Sequence, residues 1–308
     1  MSELTQVGVG IIGLGFMGAT HFRAFQAAHA VGFQCRVIAV CDRSAERLTG
    51  RVDVMGNIDT GHSERLFDPT RLRTCREPRD LINDPRVHLV SICTHTDTHA
   101  ELAIAALKAG KHVLVEKPVA IRSEDARRVA AAVSESGRLC MPAMCMRFWP
   151  GWTWLRDRIR DGRFGKVLSA SFQRLGVTPS WSPEFYGDAS KSGGPLFDLH
   201  VHDADFIRWC FGPPQSVQSA GSTSHVTTLY RYDADRGPRH VVAEGGQDCS
   251  PGFGFRMRYV VAFERATADF DLTRTPTVLL HRDGRSEPVE LPHATAYDGQ
   301  VRHLLDAI

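Results

Sequence analysis

Between residues 7 and 145, short apolar runs alternate with amphipathic stretches of helical period, and no other feature of the chain restricts its fold as much. VGVGII at 7–12, VIAVC at 37–41, 88–93, HVLV at 112–115 and 139–145 read as strands. Residues 16–29, 97–109 and 123–136 read as helices between them. Strands without polar alternation are buried on both faces. Strands alternating with helices make βαβ units, so the pattern predicts a parallel sheet with helices on both sides. Residues 50–75, rich in Gly, Asp and Arg, are less regular; LRTC reads as a short strand and EPRDLI as a short helix.

The rhythm changes after about residue 150. A helix at 151–161 and a strand at 166–174 precede a loop rich in Pro, Ser and Trp, followed by a strong helix at 196–210. From 215 to 291 apolar and polar residues alternate with period two, which predicts an antiparallel sheet with Gly-Pro and Asp-Gly turns. Val301, Leu304, Leu305 and Ile308 keep helical spacing to the last residue without a stop signal, so the pattern is expected to be cut short there.

The 308 residues, 43% hydrophobic, suffice for two domains with sizeable cores. The formal net charge of +2 and the lack of a basic stripe argue against nucleic acid or an anionic membrane as partner. No run of 18 apolar residues is present, and MSELTQ does not read as a signal peptide. The eight cysteines are scattered without a CxxC, which fits reduced thiols and a cytoplasmic protein.

Gly13-Leu14-Gly15-Phe16-Met17-Gly18 follows the first strand and opens the first helix. Glycines allow a tight turn and close backbone approach, and a helix N-terminus offers N–H groups to a pyrophosphate. Asp42, ending the second strand, would hydrogen-bond the ribose hydroxyls and favour NAD; Arg43 and Ser44 leave NADP as the alternative. Ligands of such sheets bind outside the strand carboxyl ends, where Thr94-His95-Thr96 and Glu116-Lys117-Pro118 lie. In "SGGPLFDLHVHDADFIRWCFG" a helical wheel puts Asp198, His202, Asp205 and Trp209 on one face. A carboxylate and an imidazole one turn apart make an oriented acid/base pair. His200 points nearly opposite, and no third ligand clusters there, so no metal is expected.

Taken together, Gly13-x-Gly15-x-x-Gly18, "HAELAIAALKAGKHVLVEKPVA", "RFWP" at 147–150 and Gly193-Gly194-Pro195-Leu196 through Asp198, His202 and Asp205 resemble the glucose–fructose oxidoreductase / inositol dehydrogenase (Gfo/Idh/MocA) family over nearly the whole chain. The resemblance implies an N-terminal Rossmann domain at 1–122, with a last helix and strand to about 148. It further implies an α+β substrate-binding and oligomerisation domain at 149–308 with a large, open, mainly antiparallel sheet. It makes Lys117 the catalytic lysine, with a cis peptide to Pro118, and His202 the proton acceptor beside Asp198. The expected cofactor contacts are Gly13, Gly15, Phe16, Met17, Gly18, Asp42, Arg43, Thr94, His95, His99, Glu116 and Lys117, although the position of Glu116 also reads as structural. The expected substrate contacts are Arg147, Trp149, Trp181, Asp198 and His202, with Trp152, Phe185 and Tyr186 as further aromatics that stack on a sugar or pack in a core. Arg147 recognises a carboxylate or hydroxyls, or pairs with an acid. His95 and His200 depart from the family pattern and bear on the substrate pocket. The implied activity is hydride transfer between a secondary alcohol of a sugar or cyclitol and NAD(P), in a homodimer or homotetramer. The rivals are a redox-neutral NAD-dependent glycosidase of the same family and a non-catalytic sugar sensor.

Overall fold

A computed structural model describes residues 6–51, 65–180, 183–233 and 237–308. The chain divides into two compact units, Met1–Met144 with Tyr297–Ile308, and Cys145–Ala296.

The first unit is built on β1 (Val7–Ile12), α1 (Phe16–Ala30), β2 (Cys35–Cys41), β3 (Arg73–Cys75), α2 (Pro78–Ile82), β4 (Leu89–Ile92), α3 (His99–Lys108), β5 (His112–Val115), α4 (Ser123–Ser136) and β6 (Cys140–Pro142). The strands form one parallel sheet in the order β3-β2-β1-β4-β5-β6. The central strands β1, β4 and β5 are largely apolar because both faces of the sheet are covered there. Val9, Ile11, Leu89 and Leu114 pack with Phe22 and Phe25 of α1 on one side. Ile12, Val90, Val113 and Val115 pack with Leu81, Ala103, Leu107 and Val129 of α2, α3 and α4 on the other. The strand order reverses beside β1, which opens a crevice at the carboxyl edge of the sheet.

The second unit holds α5 (Pro150–Asp161), β7 (Val167–Leu175), α6 (Pro183–Tyr186), α7 (Ala189–Ser192) and α8 (Val201–Phe211). Then come β8 (Ser216–Gly221), β9 (His225–Arg231), β10 (His240–Gly246), β11 (Arg256–Phe263), β12 (Thr267–Asp271), β13 (Val278–Arg282) and β14 (Arg285–Pro288). Its eight-stranded sheet runs β14-β13-β12-β11-β7-β10-β9-β8. Neighbours are antiparallel except β7 and β10, which pair in parallel from Ser169↔His240 to Leu175↔Gly246. Trp152 is fully buried, edge-on to Phe206 at 4.7 Å and to Tyr259 at 5.5 Å. The Tyr259 hydroxyl donates to the Gly151 carbonyl at 2.8 Å, so α5 is clamped to the sheet. Trp152 is therefore a core residue and not a sugar platform.

Three expectations change. The last helix, α9 (Ala296–Ala307), was expected in the second domain, but Val301 and Leu304 are buried in the first unit's core beside α1. The strand expected at 139–145 stops at Pro142, which has no N–H for the ladder, and Cys145–Arg147 is a 3₁₀ turn. The helix expected at 196–210 begins with a π-helical turn, Leu196–His200, before α8. Part of the irregular stretch 50–75 and Trp181 lie outside the described residues.

Candidate functional site

The three glycines of the first turn do different work. Gly13 has φ +90°, and a Cβ there would come within 2.5 Å of the Cys93 carbonyl. A Cβ on Gly18 would lie 1.9 Å from the Gly13 carbonyl, so Gly18 lets α1 close on the turn. A Cβ on Gly15 would meet nothing within 4 Å. No local packing demands that second glycine, and it borders open space where a ligand can approach. Gly15 is also the N-cap of α1, and no side chain caps the helix. The first-turn N–H groups, Phe16 and Met17 included, have no intrahelical partner, and such groups can bind an anion.

Asp42 follows β2 and is buried. Its Oδ2 accepts the Leu14 N–H at 2.6 Å and its Oδ1 the Ser44 N–H at 2.8 Å. These bonds tie the carboxylate to the glycine turn. Arg47 Nη1 lies 3.6 Å from Oδ2, a neighbour that no sequence pattern announced. Arg43 is exposed. The open space at Gly15, the uncapped helix and the carboxylate at the end of β2 together fit a dinucleotide.

At the end of β4, Thr94 is half-buried with its hydroxyl 2.7 Å from that of Thr98, and His95 is exposed. Past β5, Lys117 is half-buried and its peptide to Pro118 is cis. The carboxyl ends of β1, β2, β4 and β5 share one edge, so Gly15, Asp42, Thr94 and Lys117 all lie along it.

Two expected cofactor contacts are buried. His99 is 1% exposed, with Nδ1 2.8 Å from the Pro118 carbonyl and Nε2 3.0 Å from the Thr94 carbonyl. Burial lowers its pKa, against these two carbonyls, which favour the charged ring. A buried ring held between two backbone carbonyls braces the ends of β4 and β5. Glu116 is 5% exposed, with one oxygen 3.0 Å from His21 Nε2 and the other accepting the Lys117 N–H at 3.1 Å. It too is internal.

In the second unit the π-helical turn breaks the helical wheel. Asp198 lies within the turn and accepts from Gln247 Nε2 at 3.2 Å, while His202 is buried on the first turn of α8. Such turns insert one residue per turn and recur at functional positions. Farther along, Asp205 takes Arg147 in a two-pronged pair at 2.7 and 2.8 Å, and the guanidinium lies 5.5 Å from the Trp209 ring. Arg147 is thus held by an acid, the second of its two sequence readings. His200 is buried with Nε2 3.3 Å from the Tyr230 hydroxyl, and burial lowers its pKa. Trp149 is the N-cap of α5 and half-buried; Phe185 and Tyr186 pack edge-on at 5.0 Å. Gln247 was missed by sequence reading: a glutamine at a strand end carries no chemical signature until its partner is known.

Among the described residues, no group of three His, Cys, Asp or Glu side chains is placed to hold a metal ion, and no helix is long and apolar enough to cross a membrane. The cysteines in the described residues are free thiols, four of them buried.

Residues 7–144 match an oxidoreductase family with an NAD-binding Rossmann fold, and residues 152–246 match the GFO/IDH/MocA C-terminal domain. Inositol 2-dehydrogenase of Salmonella typhimurium is 29% identical over 76% of this chain and 62% of its own length. Levoglucosan dehydrogenase of Pseudarthrobacter phenanthrenivorans is 28% identical over 71% of this chain and 55% of its own. The chain thus spans about three-fifths of the length of the curated relatives it matches. A solved levoglucosan dehydrogenase in complex with NADH and levoglucosan superposes with a TM-score of 0.77, covering 96% of this chain and 83% of the other at 23% identity. That likeness establishes a shared fold.

Proposed function

This chain belongs to the Gfo/Idh/MocA oxidoreductase family, and on that premise we propose that it is an NAD-dependent dehydrogenase of a secondary alcohol in a sugar or cyclitol. The observation that carries the reading is the carboxyl edge of the first sheet, where the open Gly15, the Asp42 carboxylate and Lys117 lie together. The names of the relatives, inositol 2-dehydrogenase and levoglucosan dehydrogenase, support polyhydroxylated rings as the substrate class.

Gly15 and the N–H groups of Phe16 and Met17 hold the pyrophosphate, and Asp42 holds the adenosine ribose. Arg43 and Arg47 flank Asp42, and the buried carboxylate favours a ribose diol over a 2′-phosphate. NAD, when bound, supplies the hydride acceptor. The Lys117 ammonium donates a hydrogen bond to the substrate oxygen and stabilises negative charge developing there. His202 removes the hydroxyl proton, and Asp198, steadied by Gln247, orients the substrate and the base. The outward face of the second sheet, with Val260 48% exposed between Ser171 and Asp269 on neighbouring strands, is proposed as the contact between copies in a homo-oligomer.

The test is a panel of cyclitols, aldoses, anhydrosugars and sugar acids, assayed with NAD and with NADP. The reading expects a polyhydroxylated ring among the substrates and a higher kcat/KM with NAD. Turnover confined to simple aliphatic alcohols would contradict it.

A further inference from the structure

Beneath the carboxyl edge of the first sheet sits a histidine that the proposed chemistry does not use. His21 of α1 is fully buried. Its Nδ1 lies 2.8 Å from Ser91 Oγ and 3.3 Å from Cys93 Sγ, at the end of β4. Its Nε2 lies 3.0 Å from Glu116 Oε1, just past β5. The other Glu116 oxygen accepts the Lys117 N–H at 3.1 Å, and the Glu116 N–H donates to the Ile92 carbonyl at 2.9 Å. One imidazole therefore spans three elements: the helix that opens at Gly15, the strand end before Thr94 and the strand end before Lys117.

An apolar side chain would fill this space without a desolvation cost. A carboxylate 5% exposed needs a cationic or hydrogen-bonding partner, and His21 supplies one. A buried ion pair adds little net stability, but removing either partner leaves a buried charge uncompensated and is costly. Burial opposes charge on His21, yet Cys93 and Glu116 outweigh it and push its pKa up to about 10. The imidazolium is the form of the ring that pairs with Glu116.

We propose that His21 is a positioning residue: paired with Glu116, it fixes where Lys117 leaves β5 and ties that point to the helix whose N-terminus faces the dinucleotide. This rests on the reading of Lys117 as a residue that acts on the substrate. His21 itself, sealed below the sheet edge, touches neither substrate nor cofactor.

The experiment uses the full chain with His21→Gln, which keeps hydrogen-bonding atoms and removes the charge, and Glu116→Gln, which tests the same pair from the other side if the first does not fold. Hydrogen exchange of the segment 113–120 by mass spectrometry reads the corner without any substrate. The expected result is exchange in that segment about 10-fold faster, with exchange in β1 and α9 unchanged. On a polyol that the wild type oxidises, kcat should fall on the order of 10-fold while KM and the NADH Kd stay within about 3-fold, as misplacement of one catalytic group predicts. NADH binding weakened by more than about 3-fold with kcat unchanged would mark a merely structural role and overturn the proposal. Exchange at 113–120 unchanged in both variants would also overturn it. If the wild type oxidises no polyol, the reading of Lys117 fails, and the exchange measurement still decides whether His21 holds the corner.

Discussion

Gly15 and Gly18 are the same residue type three positions apart, and their surroundings predict opposite outcomes. Gly15 has φ −73° and open space where a Cβ would go, so Gly15→Val should fold with an unchanged Tm and lose NADH affinity by 10-fold or more, in the order-of-magnitude sense of a blocked phosphate approach. Gly18→Ala forces a Cβ against the Gly13 carbonyl and should destabilise the fold by about 1–3 kcal/mol, as overpacking does. Calorimetry with NADH and thermal melts on both variants separate the two effects. Lys117→Met and His202→Ala should each keep NADH binding and lower turnover by about 10²-fold or more, because each removes a group proposed to act on the substrate oxygen or its proton. Wild-type turnover in either variant would remove that residue from the mechanism. Lys117 and His202 could be singled out in the sequence because each stands in a stretch that resembles the family's motifs. His21, Ser91 and Gln247 could not, because a buried polar residue in an apolar run shows its purpose only when its partners are in place.

At the opposite edge of the first sheet, the strand beginnings carry a group of basic residues with another consequence. His88 Nδ1 accepts the Gly8 N–H at 2.9 Å, and His112 Nδ1 accepts the Leu139 N–H at 3.2 Å. Both rings must be neutral at Nδ1 to make these bonds. Burial first, then Lys111, lowers the pKa of His88; burial first, then Arg138 and His88, lowers that of His112. A folded pKa below the unfolded value means that the unfolded chain binds more protons, so this stability is present above the ordinary histidine pKa and is lost as pH falls below about 6.5. His99 and His200 shift the same way through burial. The Tm should therefore drop between about pH 7 and pH 5, before most carboxylates titrate. A His88→Asn/His112→Asn variant, whose amide oxygens still accept the backbone N–H groups, should show a shallower drop in the same melts. An equally steep drop would show that these two rings do not carry the acid sensitivity. Among the elements themselves, β1 and β5 were legible to their ends, since uninterrupted apolar runs bounded by Gly or charge leave little choice. The π-helical turn at Leu196–His200 was not, because the apolar period of 196–210 is helical either way and the inserted residue depends on packing against β10, where Gly245 comes close to His200.

Across the molecule, the chain divides near the period change at about residue 150: one unit holds the glycine turn and Asp42, the other Asp198, His202 and a broad sheet. The assignment of α9 escaped sequence reading because a helix's apolar stripe does not say which core it enters; Val301 and Leu304 could have served either. Net hydride transfer is the central claim, and it differs from transient redox in what accumulates. A dehydrogenase releases reduced cofactor every turnover, whereas a redox-neutral glycosidase of the same family returns the hydride and cleaves a glycosidic bond. The most direct measurement incubates the full chain with excess NAD and a polyol or anhydrosugar that it consumes, and quantifies NADH by absorbance against ketone by mass spectrometry. Equal molar amounts of NADH and ketone, many per enzyme molecule, are the predicted result. Cleavage of an aryl glycoside with no NADH accumulating, and no alcohol oxidised across the panel, would contradict it.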